Sequence, residues 1–293
     1  MKIAVASGKG GTGKTTVASS LVHIWPAPVV AVDLDVEAPN LHLFLNPVET
    51  GRRTAIIEIP EPDESKCTFC RKCSDICQFA AVKVLGEVLM VFPEMCHGCG
   101  GCLAVCPEGA LSPGGRELGE IIWGRAGHAG FIMGRSRVGE AMSPPLMRQV
   151  KSQLSEMAPP GADVIIDAPP GVSCPAVNAV MDADVVVLVT EPTPFGVFDL
   201  GLAHKAFAPL GKPMGVVVNR AGIGEDEVYR FCRRQGIEVL AEIPYDRAVA
   251  EAYAEGQVVA EAVPSVRRII EKLAQRLRVL GGGSPGGKEA AHG

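Results

Sequence analysis

Runs of consecutive apolar residues, rich in valine and isoleucine, recur along the chain and predict buried strands. Five such runs occupy residues 2–6, 29–32, 164–166, 185–190 and 215–218. Because each run is continuous and does not alternate with polar positions, we expect strands covered on both faces, as in a parallel sheet. Helical patterns lie between them, at residues 14–25, 146–157, 175–181, 197–208, 226–235 and 266–280. This alternation predicts an α/β fold with a mostly parallel sheet and helices on both faces.

Residues 61–114 break this alternation. The segment follows a proline-rich stretch and ends at a Pro-Gly-Gly turn. Without it, the chain amounts to roughly 240 residues, a size typical of one α/β domain. We therefore predict a discontinuous main domain of residues 1–60 and 115–280, with a small α+β domain of residues 61–114 inserted into one of its loops. The glycine-rich end, residues 281–293, has too few apolar residues to fold and is predicted to be a disordered tail.

Charge and composition narrow the class of protein. The 293 residues include 28 Lys and Arg against 33 Asp and Glu, a net charge of −5. Mild acidity without a basic block argues against general nucleic-acid binding. No apolar run approaches the roughly 20 residues that span a bilayer, and the N-terminus lacks a signal-peptide pattern. We expect a cytoplasmic protein, in which crowded cysteines indicate metal or cluster binding more than disulfides.

The insertion contains eight of the ten cysteines, in two copies of one pattern. Residues 66–82 align with residues 95–111 at an offset of 29, and four cysteines of each copy superpose. A repeated unit of this kind predicts two similar binding sites. The other two cysteines are isolated. Cys232 is expected in the core, and Cys174 is either a small packing residue or a contact for a partner or a transferred cluster.

A phosphate-binding pattern follows the first predicted strand. Residues 8–15, GKGGTGKT, fit G-x-x-x-x-G-K-[S/T] between a strand and a helix. Glycines let backbone amides turn towards phosphate oxygens. Lys14 is expected to contact the β- and γ-phosphates, and the Thr15 hydroxyl to coordinate Mg²⁺. The predicted nucleotide contacts in this loop are Gly10, Gly11, Thr12, Gly13, Lys14, Thr15 and Thr16.

Lys9 adds a second lysine inside the loop. With it, the sequence KGGTGKT resembles the MinD/Mrp-type ATPases, which have a deviant Walker A motif. The resemblance implies that Lys9 reaches the nucleotide of a partner subunit, so that a homodimer completes the site. In that role Lys9 replaces the arginine finger of other NTPases. The alternative is an ordinary solvent-facing loop lysine.

The resemblance continues in two acidic motifs at strand ends. Asp33-Leu34-Asp35 matches the family's D-x-D, and residues 167–171, DAPPG, resemble its Walker B and switch II element. The resemblance implies that Asp33 and Asp167 support Mg²⁺, that Asp35 orients the attacking water, and that Gly171 senses the γ-phosphate. Each aspartate alone would more often be a helix cap or turn residue. The predicted catalytic residues are Lys9, Lys14 and Asp35, and the predicted Mg²⁺ ligands are Thr15, Asp33 and Asp167.

Two later strand ends resemble the family's base-recognition loops. Asn219 and Arg220 follow a valine run, and Pro244 and Asp246 flank a tyrosine. An asparagine amide offers both a donor and an acceptor to the edge of adenine. No N-K-x-D guanine signature is present, so ATP is favoured over GTP.

Each cysteine repeat, C-x₂-C-x₂-C-x₃-C, matches the run found in bacterial two-cluster ferredoxins, which the insertion resembles over its whole length. In such runs three cysteines bind one 4Fe-4S cluster and the fourth binds the other. This predicts Cys67, Cys70, Cys73 and Cys106 as ligands of one cluster, and Cys77, Cys96, Cys99 and Cys102 as ligands of the second. Zinc would instead require paired C-x₂-C knuckles. Gln78 departs from the pattern, which has proline after the fourth cysteine.

Three functions fit these motifs. The first is a Mg²⁺-dependent ATPase that switches as a homodimer and gates electron transfer from the clusters to an unidentified redox partner. The second is an iron–sulfur cluster carrier of the Mrp type, with an acceptor protein as its partner. The third is a positioning ATPase like MinD, with redox-sensing clusters. MinD ends in a membrane-targeting helix, but the apolar stripe at residues 266–280 favours packing on the sheet over membrane binding.

Overall fold

The computed structural model describes residues 1–224 and 226–282. Its strands are β1 (Lys2–Ala6), β2 (Val29–Asp33), β3 (Val48–Pro62), β4 (Val82–Leu85), β5 (Val88–Val91), β6 (Leu111–Ala126), β7 (Ala129–Ser136), β8 (Asp163–Asp167), β9 (Val185–Thr190), β10 (Met214–Ala221) and β11 (Glu238–Pro244). Its α-helices are α1 (Lys14–Ile24), α2 (Leu41–Leu45), α3 (Lys72–Ile76), α4 (Gly101–Val105), α5 (Ser143–Met157), α6 (Cys174–Met181), α7 (Pro194–Phe207), α8 (Glu227–Gln235), α9 (Arg247–Ala254), α10 (Val259–Ala262) and α11 (Pro264–Gly282).

Nine of the strands form one sheet in the order β11-β10-β9-β1-β8-β2-β7-β6-β3. The pairs from β11 to β7 are parallel, and β6 pairs antiparallel with both β7 and β3. The mostly parallel sheet with helices is therefore confirmed. The carboxyl ends of β1, β2 and β8 lie side by side, at the edge where ligands bind in open sheets of this type.

Each face of the sheet has its own hydrophobic core, because successive side chains of a strand point to opposite sides. Ala4 and Ala6 belong to one core, together with residues of α5, α6, α7 and α8. Ile3 and Val5 belong to the other, together with residues of α1, α10 and α11. Helix α11 buries Val266, Ile270, Leu273, Ala274 and Leu277, as its periodicity predicts. None of the described helices is both long and apolar enough to cross a membrane.

Strands β3 and β6 form a long antiparallel ribbon. The sequence did not predict it, because neither strand is a continuous apolar run. Its pairing extends from Val48 and Arg125 to Pro62 and Leu111. Only one face is buried over much of β3, where Ala55, Ile57 and Ile59 alternate with exposed residues. The pattern is therefore the two-residue alternation typical of an antiparallel strand.

The cysteine-rich insertion lies at the far end of this ribbon. By strand pairing it spans residues 63–110, slightly less than the predicted 61–114, because the ribbon continues through Pro62 and Leu111. The insertion consists of the short helices α3 and α4 and the antiparallel hairpin of β4 and β5. At the other end of the chain, α11 continues to Gly282. The first two residues of the predicted tail are thus helical, and the rest lie outside the described residues.

Gly119 allows β6 and β7 to pair where β6 is irregular. Its φ is 150°, and a Cβ there would lie 2.0 Å from the carbonyl oxygen of Arg135. We expect Gly119→Ala to lower the free energy of unfolding by more than about 2 kcal/mol, because the backbone pairing must shift. Gly127→Ala is the matched control. Its φ is 59°, and a Cβ there would have no atom within 4 Å apart from its chain neighbours, so only about 1 kcal/mol of backbone strain is expected. Urea denaturation measures both, and equal losses would contradict this account.

Candidate functional site

The loop between β1 and α1 is shaped by close approaches to its glycines. Gly13 precedes α1 with φ 96° and without a side-chain cap hydrogen bond, which leaves the first amides of the helix open to a ligand. A Cβ on Gly8 would lie 2.0 Å from the Asp199 carbonyl oxygen, and one on Gly13 would lie 2.3 Å from the Asn219 amide nitrogen. Neither position therefore accepts a side chain without movement of its neighbours.

The hydroxyl group of Thr15 joins two other segments at this edge of the sheet. It lies 2.6 Å from Asp167 Oδ2 and 2.8 Å from Asn40 Oδ1. Since a hydroxyl has one hydrogen, at most one of these oxygens accepts it. The second oxygen of Asp167 is buried without a hydrogen-bond partner among the described residues. A hydroxyl, an amide oxygen and a carboxylate therefore lie together with more acceptor oxygens than hydrogens, a set of oxygen ligands suited to Mg²⁺.

Asp33 organises the loop after β2. Its carboxylate accepts hydrogen bonds from the backbone amides of Asp35, Asn40 and Leu41, each at 3.0 Å. Asp33 itself is fully buried. It therefore shapes the loop that carries Asp35 and Asn40. Asp33 itself is not among the residues that line the nucleotide-site cavity described below.

Burial dominates the electrostatics of these groups. It raises the pKa of Asp33 well above its usual range, with a further increase from the charge of Asp167. It also raises the pKa of Asp167 to about 7, against the Thr15 contact and the charge of Lys14, which lower it. Burial likewise raises the pKa of Asp35 and lowers that of Lys14. Three carboxyl groups and one ammonium group share this site, so it favours an additional cation.

A cavity of about 370 Å³ opens above this cluster. Of the predicted nucleotide contacts, it is lined by Gly10, Gly11, Gly13, Lys14, Thr15, Thr16, Asn219, Arg220, Pro244 and Asp246. Asp35 and Asn40 also line it, whereas Thr12 is buried beside it. Tyr245 of the predicted base loop also lines the cavity, and next to it is a wall that the sequence did not predict, made by Val249, Ala250 and Tyr253. The signal available was the apolar i, i+4 spacing of Val249 and Tyr253 directly after the predicted base loop.

The eight clustered cysteines line two further cavities. One is lined by Cys77, Cys96, Cys99 and Cys102, and the other by Cys67, Cys70, Cys73 and Cys106. Each group contains three cysteines of one repeat and the last cysteine of the other repeat. The first cavity has a volume of about 310 Å³ and the second only about 10 Å³. Within the described ranges, no three His, Cys, Asp or Glu side chains are placed to share a single metal ion.

The two repeats have the same backbone geometry. The Phe69 amide donates to Cys67 Sγ at 3.4 Å, and the Gly98 amide donates to Cys96 Sγ at 3.5 Å. The Ala81 and Ala110 amides likewise donate to Cys77 Sγ and Cys106 Sγ, at 3.2 and 3.3 Å. These contacts recur at equivalent positions in the two repeats. Burial raises the pKa of Cys73 and of Cys102, which are also equivalent positions.

The family model of the CobQ/CobB/MinD/ParA nucleotide binding domain matches residues 3–259. The chain belongs to this nucleotide-binding family.

Relatives of the chain include proteins with and without an assigned role. An uncharacterized protein of Methanocaldococcus jannaschii is 31% identical over 284 residues, covering 94% of this chain and 96% of its own. An iron-sulfur cluster carrier protein of Pyrococcus horikoshii is 25% identical over 313 residues, covering 98% of this chain and 90% of its own. The solved structure of the septum site-determining protein MinD complexed with Mg-ADP, also from Pyrococcus horikoshii, has a TM-score of 0.59 at 20% identity and covers 96% and 97%. This last likeness shows the fold alone.

In this member of the CobQ/CobB/MinD/ParA family, Lys9 is held within its own subunit. Its Nζ lies 2.6 Å from Glu191 Oε1, and Arg220 Nη1 lies 2.8 Å from the other oxygen of the same carboxylate. The Lys9 side chain remains 31% exposed, whereas that of Glu191 is only 9% exposed. Glu191 was not singled out from the sequence, because a lone glutamate after a strand carries no distinctive signal.

Three other predicted residues have partners of their own. The Asn219 amide nitrogen donates to the Thr12 carbonyl oxygen at 2.9 Å. The Asp246 carboxylate accepts from the Ala248 amide and caps α9. The Gly171 amide donates to the Ser7 carbonyl oxygen at 3.0 Å. Asn219 and Asp246 therefore both line the cavity and support the local backbone.

The raised pKa of Asp167 predicts how the stability of the nucleotide-free protein depends on pH. Since the pKa is about 7 in the folded chain and about 4 when unfolded, this carboxyl stabilises the fold at low pH, and that contribution is lost as the pH rises towards 7. We expect the melting temperature of Asp167→Asn to exceed that of the wild type by an amount that grows from pH 4 to 7. Thermal melts in buffer without Mg²⁺ or nucleotide test this.

Asp182→Asn is the control of opposite sign. A hydrogen bond from Lys151 lowers the pKa of Asp182, so its stabilisation is present at neutral pH and is lost as the pH falls. A pH-independent difference for Asp167→Asn would show that its carboxyl ionises normally.

Proposed function

We propose that the chain is a Mg²⁺-dependent ATPase whose switching as a homodimer gates electron transfer from an inserted two-cluster iron–sulfur domain to a partner protein. One observation carries the proposal. A phosphate loop with buried carboxylates lies on the nine-stranded sheet, and two strands of that sheet, β3 and β6, lead to an insertion with two cavities of four cysteines each.

The nucleotide half fits ATP with Mg²⁺. The loop amides and Lys14 would hold the phosphates, while Thr15 and the unpartnered oxygen of Asp167 would hold the cation. The cation supplies charge neutralisation at the transferred phosphoryl group. Asp35 lines the cavity and is the group for orienting a water molecule. Because burial raises its pKa, its carboxylate is a better proton acceptor than an ordinary aspartate.

Lys9 requires a change of partner to act across a dimer. In the isolated subunit its ammonium group pairs with Glu191. Removing one partner of a buried ion pair is costly when the other is left alone. Arg220 contacts the same carboxylate, so Glu191 keeps a cation when Lys9 leaves. This arrangement supports a lysine that moves between its own subunit and its partner.

The cysteine half fits two 4Fe-4S clusters. Cys67, Cys70, Cys73 and Cys106 would hold one cluster, and Cys77, Cys96, Cys99 and Cys102 the other. When bound, the clusters supply one-electron transfer. The chain contributes amide hydrogen bonds to sulfur in both repeats, which are among the features that set cluster potentials. The smaller cavity must widen to accept its cluster.

Substitution of Lys9 and Asp35 tests the ATPase. We expect Lys9→Ala to lower kcat by about 10³-fold, as loss of a charge-neutralising finger does, and Asp35→Ala by about 10²-fold or more. Phosphate release at saturating Mg-ATP measures both. Lys212→Ala, at a half-buried position far from the loop in sequence, serves as the control. Wild-type rates in both test variants would rule out this mechanism.

Substitution of cysteines tests the cluster domain. After anaerobic reconstitution, we expect about eight iron atoms per chain, in line with two 4Fe-4S clusters. Cys99→Ser is expected to lose about half of the iron and the EPR signal of one cluster. Cys174→Ser, which changes an exposed cysteine outside the insertion, keeps both. Equal iron contents in the two variants would contradict the ligand assignment.

A cluster carrier is the second candidate, favoured by the similarity to the iron-sulfur cluster carrier protein of Pyrococcus horikoshii. In that case the clusters are cargo. Incubation of the loaded chain with an apo-ferredoxin separates the two functions. Transfer of iron supports the carrier, and electron transfer with retained iron supports the gated ferredoxin.

A further inference from the structure

The two cysteine cavities differ in what they contact. The cavity of Cys77, Cys96, Cys99 and Cys102, here called the inner cavity, is also lined by Glu58, Ile59 and Pro60 of β3. The cavity of Cys67, Cys70, Cys73 and Cys106, the outer cavity, has among its lining residues only Leu111, the first residue of β6, from the ribbon. Gly98 of the inner cavity approaches β3 so closely that a Cβ there would lie 2.7 Å from Ile57 Cγ1. A displacement of the ribbon therefore acts first on the inner cavity.

Glu94 connects the inner cavity to the main domain. It lies in a single 3₁₀ turn, Pro93–Met95, directly before Cys96. Both of its carboxylate oxygens lie 2.8 Å from Arg137 Nη2. One of them also lies 3.1 Å from Nη1 of Arg116, which belongs to β6. One carboxylate is therefore shared by two arginines of the main domain.

The two arginines share the carboxylate of Glu140. Arg116 is buried and pairs with this buried carboxylate, and its Nε and Nη2 atoms have no hydrogen-bond partner in the described ranges. Arg137 is one-third exposed, follows directly after β7, and has its Nε 3.5 Å from the same carboxylate. Its amide and its Nε also donate to the carbonyl oxygens of Leu118 and Glu117 in β6, at 2.9 and 2.8 Å. Arg137 therefore joins the end of β7 to the strand that carries Arg116.

The end of β7 is bonded to the loop that Asp33 organises. The Ser136 amide donates to the Val36 carbonyl oxygen at 2.8 Å. A Cβ on Gly134 would lie 2.7 Å from Val36 Cγ1, so β7 packs tightly on this loop. Val36 is the residue after Asp35, which lines the nucleotide cavity. A change in the loop of residues 33–41 is thereby passed to Ser136 and then to Arg137.

We propose that Glu94, held between Arg116 and Arg137, is a positioning residue that couples the nucleotide loop of residues 33–41 to the inner cysteine cavity. The inference rests on the proposed function and names the contact through which its two halves communicate. When the loop moves, the end of β7 carries Arg137 with it, and the carboxylate two residues before Cys96, which both arginines hold, changes its place. The cluster of the inner cavity then has different potentials in the two nucleotide states.

Thermodynamic linkage gives a direct measurement of this coupling. The full chain with reconstituted clusters is titrated with Mg²⁺ and a non-hydrolysable ATP analogue, once oxidised and once reduced by dithionite. We expect about a tenfold difference in analogue affinity. By reciprocity it equals a shift of about 59 mV in the potential of one cluster, followed by EPR during a stepwise reduction.

Variants of the shared contact identify its carrier. Glu94→Gln and Arg137→Gln are each expected to reduce the tenfold factor to less than twofold. The double variant is expected to reduce it no further, because both side chains act through one contact. Glu94→Asp keeps the charge and is expected to restore part of the factor. Glu108→Gln, which removes a carboxylate two residues after Cys106 at the outer cavity, is the matched control and keeps the full factor.

Hydrogen–deuterium exchange gives a second readout that needs no turnover. We expect the analogue to change exchange in residues 93–102 of the wild type and of Glu108→Gln, and not of Glu94→Gln. A chain that takes up no clusters or no analogue would disprove the proposed function, and the inference with it. If both bind, equal affinities in the wild-type redox states, or a tenfold factor that persists in both test variants, would overturn the inference alone.

Discussion

The contact between Thr15 and Asp167 is the constraint on which the nucleotide cavity depends. It joins the first turn of α1 to the end of β8, and Asn40 adds the loop after β2. These three segments meet only because β1, β8 and β2 are neighbours that end at the same edge of the sheet. The hydrophobic cores on the two faces hold those strands in register. The site in turn concentrates buried carboxyl groups that destabilise each other until a cation or a proton joins them.

How much the sequence predicts depends on how local the determining interaction is. The phosphate loop is a contiguous motif whose backbone shape follows from its glycines, and six of its seven predicted nucleotide contacts line one cavity. The cysteine spacing likewise predicted the exchange of the fourth cysteine between the two cavity linings. Strands buried on both faces are recognisable in the sequence as continuous valine-rich runs. In contrast, the first half of β3 is exposed and alternates only from Ala55 to Ile59, and the buried residues of β6 are interrupted by exposed ones, so neither strand contains a long continuous apolar run.

Interactions between distant residues of ordinary type were not predictable. Glu191 lies 182 positions from Lys9 in the sequence, and Glu94 lies 43 positions from Arg137. Neither glutamate belongs to a motif, and only the folded chain brings each to its basic partners. The wall made by Val249 and Tyr253 was missed for a related reason, since an apolar pair on a helix is more often part of a core.

The cysteine repeats share three left-handed backbone positions but fill them differently. Gly98, Gly100 and Gly109 occupy them in the second repeat. Their counterparts in the first repeat are Phe69, Arg71 and Ala80, with φ of 54°, 65° and 55°. A side chain in this region costs of order 1 kcal/mol or more. The first repeat therefore keeps its loop shape against a local preference, yet its amide–sulfur contacts match those of the second repeat.

The ribbon of β3 and β6 determines how the cysteine domain is presented to other molecules. A domain attached by flexible linkers searches a volume set by linker length, and its encounters are governed by effective concentration. Here two strands, paired from Val48 and Arg125 to Pro62 and Leu111, replace the linkers. The domain is carried as a stiff arm, with its direction set by the twist of the sheet. Under the proposed electron-transfer function, a partner would approach from a side set by the ribbon, so orientation of the whole molecule, and not local diffusion of the domain, would determine whether donor and acceptor come within reach.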